Sequence, residues 1–276
     1  GSKNAVKGAG FFLGAVLLAL VGFRASMLGM ATVLAVILAS IMAFLPPGLP
    51  IGSKDVKFSS VWSKNRQINR LSLARMFLFG ARDVWFVVGI PVYFQSVLSD
   101  GSPGSSRSAF FLVGGFMAAW IIAYGAVQAA APRLLAAKGK SEPQIVEQAV
   151  TLAGALVPVP FALALAALLA GAPTLWLTVT LVLGLLLFGY VFALNSSVHS
   201  YLILAFAGAE RVTMDVGFYY MANAAGRLLG TLLSGVSFQL GGLPLCLATA
   251  GCMAAASWFS ARFLRRDEGR VVQQAE

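Results

Sequence analysis

"LARMFLFGARDVWFVVGIPVYF", residues 73–94, is apolar over almost its whole length, yet Arg82 and Asp83 stand side by side near its middle. Leucine, phenylalanine, valine and tryptophan on both sides suit lipid or the inside of a helix bundle. A charge halfway along such a helix costs about 2.5–3.5 kcal/mol on insertion scales, so it faces a partner or a wet cavity. Arg75 stands seven residues before Arg82, about 10.5 Å along a helix and nearly on the same face. Arg75 can snorkel to the surface, whereas Arg82 lies near the midplane. Helix neighbours diverge by about 100°, so Arg82 does not automatically neutralise Asp83, which expects a partner on another helix or a proton. The plainer alternative is an interhelical ion pair that only fixes packing.

The rest of the chain is of the same kind. Its 276 residues are 59% apolar and 11% charged, with a mean hydropathy of +0.84. Soluble domains carry about a quarter charged residues, so this composition defines an all-α membrane protein. Apolar runs of about 20 residues without strand-like alternation read as transmembrane helices rather than barrel strands. Eight spans are expected, at 3–23, 26–45, 70–97, 108–131, 147–171, 174–204, 212–239 and 242–264. Pro158 and Pro160 should bend the fifth. Cys246 and Cys252 share the last apolar run at no metal spacing and read as packing residues.

Charge in the connections sets orientation. With the N-terminus inside, fifteen of the twenty Lys and Arg residues fall on the cytoplasmic side, against Arg24 and Arg107 outside. Arg75, Arg82 and Arg227 lie within spans. The net charge of +10 is therefore a topology signal, and a nucleic-acid partner is not needed to explain it. The expected setting is the inner (plasma) membrane, with both ends of this chain cytoplasmic.

The long connection "LPPGLPIGSKDVKFSSVWSKNRQINR", residues 45–70, divides the chain two plus six. It reads as a helix stop followed by a short basic surface helix carrying Phe58, Val61 and Trp62, or else by a solvated linker. The resulting units are residues 1–46, two helices of one bundle; 47–69, a central loop; 70–266, a six-helix bundle; and 267–276, a tail. The chain opens Gly1-Ser2-Lys3 without Met. Either Gly-Ser is a cloning remnant or a longer protein precedes it; about four further spans upstream would restore a six-plus-six transporter architecture.

Two more stretches carry polar residues inside apolar runs. In "FYYMANAAGRLLGTLLSG", residues 218–235, Asn223, Arg227, Thr231 and Ser234 form one polar stripe, while Gly226, Gly230 and Gly235 permit close helix approach. In "FALNSSVHSY", residues 192–201, Asn195 and His199 are one helical turn apart among serines. They could gate a passage or bind an anion, or simply bond neighbouring helices. Trp120, Tyr124 and Gln128 share a face. Lys3 and Lys7 are ordinary boundary lysines unless the first helix starts upstream, in which case they enter a cavity.

Cations in the spans exceed acids, which suits a multiply charged anion held by Arg forks. Arg82, Arg227, Asn223, Thr231, Lys3, Lys7 and Arg75 are the substrate-binding candidates, and Asp83 is the counter-charge or coupling group. One His, no paired carboxylates, no phosphate loop and no metal-ligand run leave an enzyme, a cofactor or a metal centre without support.

"GSKNAVKGAGFFLG", "FLFGARDVWFVVGIPVYF", "FALNSSVHSYLILAF" and "YYMANAAGRLLGTLLSG" resemble the ArsJ-type organoarsenical efflux permeases of the major facilitator superfamily. The resemblance implies a twelve-span bundle of which this chain supplies the last eight. It implies export of 1-arseno-3-phosphoglycerate, in functional partnership with an arsenate-using glyceraldehyde-3-phosphate dehydrogenase. That substrate bears phosphate and arsenate at opposite ends. Two separated cationic positions, such as Arg82 and Arg227 or the lysine pair, would match it. The competing readings are export of another organic anion such as a sugar phosphate, or a self-contained eight-span membrane enzyme or scaffold.

Overall fold

The structure is a computed structural model that describes residues 2–44, 63–136, 139–207 and 212–273. Most of the central loop, including Phe58, Val61 and Trp62, lies outside the described residues.

Among the described residues six helices are long and apolar enough to cross a membrane, and no strand is present. They are α1 (Ser2–Phe44), α2 (Arg66–Leu98), α3 (Pro103–Leu134), α4 (Glu142–Ala170), α5 (Leu175–Phe206) and α6 (Val212–Gln273). Polar caps set their starts: the Asn65, Ser102 and Thr174 side chains each accept from a backbone N–H of the first turn. Pro103 follows at a first-turn position, where its missing N–H does no harm.

Three of the six helices are interrupted. The helix α4 breaks at Val157, immediately before Pro158, where proline cannot supply the ladder hydrogen bond. In α1, Gly22 sits at φ 78°, ψ 171°, and in α6, Gly242 sits at φ 61°, ψ −154°. Both conformations are essentially reserved for glycine. The span boundaries expected from sequence fall beside these same glycines, and at each of them the backbone leaves helical geometry, so that two helical stretches meet at a kink.

The tightest seam joins α2 to α6. A Cβ on Gly226 would collide with the Met76 backbone, and one on Gly230 would lie 2.6 Å from the Gly80 carbonyl oxygen. Backbone therefore rests on backbone, as small residues allow. Ser257 Oγ donates to the Ala74 carbonyl at 2.8 Å, and Arg70 Nη1 donates to the Phe263 carbonyl at 2.8 Å, reinforcing the seam.

Midway along α2, residues Trp85–Gly89 widen into a π turn. Two α6 side chains attend it: Ser234 Oγ accepts from the Val88 N–H at 3.1 Å, and the Cys246 thiol donates to the Val84 carbonyl at 3.0 Å. Cys246 is thus a hydrogen-bonding residue as well as a packing one, while Cys252 is exposed on the outer face and packs into no core. Around the π turn the core is aromatic. Trp85, fully buried, meets Trp120 and Phe188 edge-on at centroid distances of 5.3 and 5.5 Å, and Trp120 Nε1 donates to the Leu185 carbonyl.

By contrast α1 packs chiefly on α3, with Gly8 against Ala118 and Ile122 and Ala15 against Gly114. Beyond Gly22 nearly every residue of α1 is exposed, including Phe23, Leu34, Ile41 and Phe44. Exposed apolar side chains in this number suit a membrane-embedded protein.

Candidate anion site

Between the start of α1 and the middles of α2, α3 and α6 lies a cavity of about 370 Å³. Gly10 and Phe11 border it from α1, Trp120 and Tyr124 from α3, and Phe79, Arg82, Asp83 and Phe86 from α2. Arg227 reaches in from α6.

Asp83 is the hub. Its side chain is 2% exposed; Arg82 Nε donates to Oδ1 at 2.6 Å and Arg227 Nε to Oδ2 at 3.0 Å. The expected partner on another helix is present as Arg227, but Arg82 also pairs with its own neighbour. The reason is length: a guanidinium on a flexible stem folds back across the angle that separates adjacent helix positions. Two guanidiniums against one carboxylate leave this wall net positive.

The two arginines are housed differently. Arg82 is 13% exposed and Arg227 53%. Arg82 stands over Phe79, Phe192 and Phe86 at 4.9, 5.5 and 5.9 Å from the ring centroids, an aromatic cage suited to a cation. Phe79 and Phe86 were not singled out from sequence, although they fall three before and four after Arg82, on its helix face.

Because both arginines grip the same carboxylate, they form one cationic position, not the two separated positions expected. Asn223 is half-buried and Thr231 exposed, and neither borders the cavity; Ser234 serves the π turn instead. Lys3 and Lys7 lie on α1 just before Gly10, but their side chains lie outside the described residues.

Arg75 does not snorkel. It is 6% exposed and turned inward, with Nη1 donating to the Ser196 carbonyl at 2.9 Å and to Ser196 Oγ at 3.0 Å. Gln128 Nε2 donates to the same hydroxyl at 3.1 Å, and the Tyr124 hydroxyl lies 3.4 Å from it. Asn195 and His199 are fully buried nearby on α5, and neither borders the cavity. The sequence candidates therefore separate into two sets: Arg82, Asp83 and Arg227 at the cavity, and Arg75, Asn195 and His199 buried away from it.

No protein-family model matches the chain, and no curated protein matches it.

Proposed function

We propose that this chain belongs to a secondary transporter of the major facilitator type and supplies the last eight of its twelve spans. Its substrate is a phosphorylated organoarsenical anion, 1-arseno-3-phosphoglycerate, exported by alternating access. The carrying observation is the pair Arg82 and Arg227 converging on one buried carboxylate in the wall of an open cavity. A charge pair that merely fixed packing would be shut away from solvent; this one borders space for a small organic anion.

Asp83 holds the place of the anion. An arriving phosphate or arsenate group offers the guanidiniums the same geometry as a carboxylate, with more acceptor oxygens and more charge. It displaces Asp83, which then takes up a proton or turns toward water. Trp120, Tyr124, Phe79 and Phe86 exclude water around the organic portion, which strengthens the charged contacts. Neither cysteine borders the cavity. The site therefore grips the oxyanion rather than the arsenic, and export of a sugar phosphate is the reading that shares this chemistry.

The decisive experiment compares arsenate resistance and efflux in cells carrying the complete reading frame, with and without an arsenate-using glyceraldehyde-3-phosphate dehydrogenase. Resistance that requires both supports the organoarsenical. Resistance indifferent to the dehydrogenase refutes it, and efflux of sugar phosphates alone favours the second reading.

A further inference from the structure

Against the same Phe79 ring that Arg82 meets lies a second cationic position with unmet polar groups. Arg75 precedes Arg82 by two helical turns, about 10.5 Å along the axis. The guanidinium carbons of Arg75 and Arg82 lie 4.2 and 4.9 Å from the Phe79 centroid. The distance between the two charges therefore cannot exceed these two lengths together.

Among the described residues no carboxylate lies within ion-pair distance of Arg75, and its Nε finds no acceptor. Asn195 and His199 flank Ser196, the residue that Arg75 holds, and both are completely buried. The amide oxygen and nitrogen of Asn195 and both ring nitrogens of His199 lack hydrogen-bond partners. A polar atom buried without a partner forfeits its hydrogen bonds to water and gains none in return. A guanidinium N–H, an amide NH₂ and an imidazole N–H are all donors. Asn195 Oδ1 and the second imidazole nitrogen are acceptors, so donors and acceptors are both unmet, but the one formal charge is that of Arg75 and among the described residues no carboxylate answers it.

Tyr124 connects the two places, since its ring borders the cavity and its hydroxyl reaches Ser196 Oγ. Phe79 is common to both places, because its ring borders the cavity and meets both guanidiniums. Its ring is 7% exposed and packs against Phe192 at a centroid distance of 5.1 Å.

We infer that Arg75, Asn195 and His199 form a second oxyanion station, which takes the far end of an anion carrying charged groups at both ends of a short chain. The near end rests on Arg82 and Arg227, so the inference builds on the reading of the cavity as an anion site. Phe79 turns aside to let the anion span both stations. A single-headed anion fills the first station only.

The test uses the purified protein in detergent micelles and two stable probes: propylphosphonate, with one anionic head, and propane-1,3-bisphosphonate, with two. Equilibrium dialysis gives both affinities. The expected result is that the bisphosphonate binds about tenfold more tightly or better, as a second charge-assisted contact requires. In Arg75→Gln the two affinities become equal while propylphosphonate still binds; in Arg82→Gln both weaken. If Arg75→Gln does not purify as a monodisperse species, Asn195→Ala and His199→Gln carry the same comparison. Equal affinities in the unmutated protein, or a bisphosphonate advantage that survives in all three station variants, would overturn the second station and leave the cavity reading standing. Failure of the unmutated protein to bind either probe overturns the cavity reading, and the station with it.

Discussion

Arg82 and Arg227 share a carboxylate but depend on it unequally. Removing Arg82 leaves Asp83 buried with only a half-exposed partner, so Arg82→Gln should cost about 3 kcal/mol of stability, read as a fall in the detergent melting temperature. Removing Arg227 leaves Asp83 paired with Arg82, so the fold should survive. Arg227→Gln should then weaken propylphosphonate binding by about tenfold, the loss of one charge-assisted contact. Asp83→Asn releases both guanidiniums, so binding of the same probe should tighten while transport loses its response to a pH gradient. Gradient-driven transport that persists in Asp83→Asn would discard Asp83 as the proton carrier. The charged members of this site were legible in the sequence because a charge in an apolar run is conspicuous against its surroundings. The fate of Arg75 was not. Whether it snorkels or turns inward is decided by Ser196 on another helix, and no local pattern encodes that. Nor could spacing reveal that Arg82 and Arg227 meet at one carboxylate.

At the scale of elements, proline and glycine wrote their positions clearly. The break expected from Pro158 and Pro160 falls at Val157, directly before the first of them. The expected span boundaries fall beside Gly22 and Gly242, whose backbones only glycine adopts without strain. Gly22→Ala should therefore destabilise by about 1–3 kcal/mol, measured by thermal unfolding in detergent. The π turn at Trp85–Gly89 left no such mark, since what sustains it is Ser234 and Cys246 on a helix far away in sequence. Ser234→Ala leaves the Val88 N–H without its side-chain acceptor and should cost about 1–3 kcal/mol. Between α2 and α3, the exposed Asp100 accepts hydrogen bonds from the Ser105 hydroxyl and the Ser102 N–H, which hold its carboxyl down to about 2. A depressed carboxylate contributes above its ordinary pKa and loses that contribution as pH falls through the lowered value. The turn should therefore stay intact through ordinary acid conditions, and a carboxyl-carbon NMR titration of Asp100 checks it.

For the molecule as a whole, composition alone disclosed a membrane-embedded helical protein, and six long apolar helices agree with it. Alkaline carbonate extraction should leave the chain in the membrane pellet; release into the supernatant would contradict this reading. The count of eight spans turns on α1 and α6, each of which is two helical stretches joined at a glycine kink. Single cysteines placed at Arg24 and Arg133 in a background without Cys246 and Cys252 would decide topology. Impermeant thiol reagent should label the first from outside the cell and the second only after permeabilisation.

The bare contact of Gly80 with Gly226 and Gly230 also bears on how such a bundle could move. With no side-chain layer to compress or shear, the two rods that carry the cations and their acid must tilt together as one stiff beam. On the transport reading proposed above, the grip on a solute would then keep its dimensions whichever aqueous compartment the vestibule opens to. Recognition and direction are thereby separable: one could redirect the mouth of such a protein without retuning what it holds.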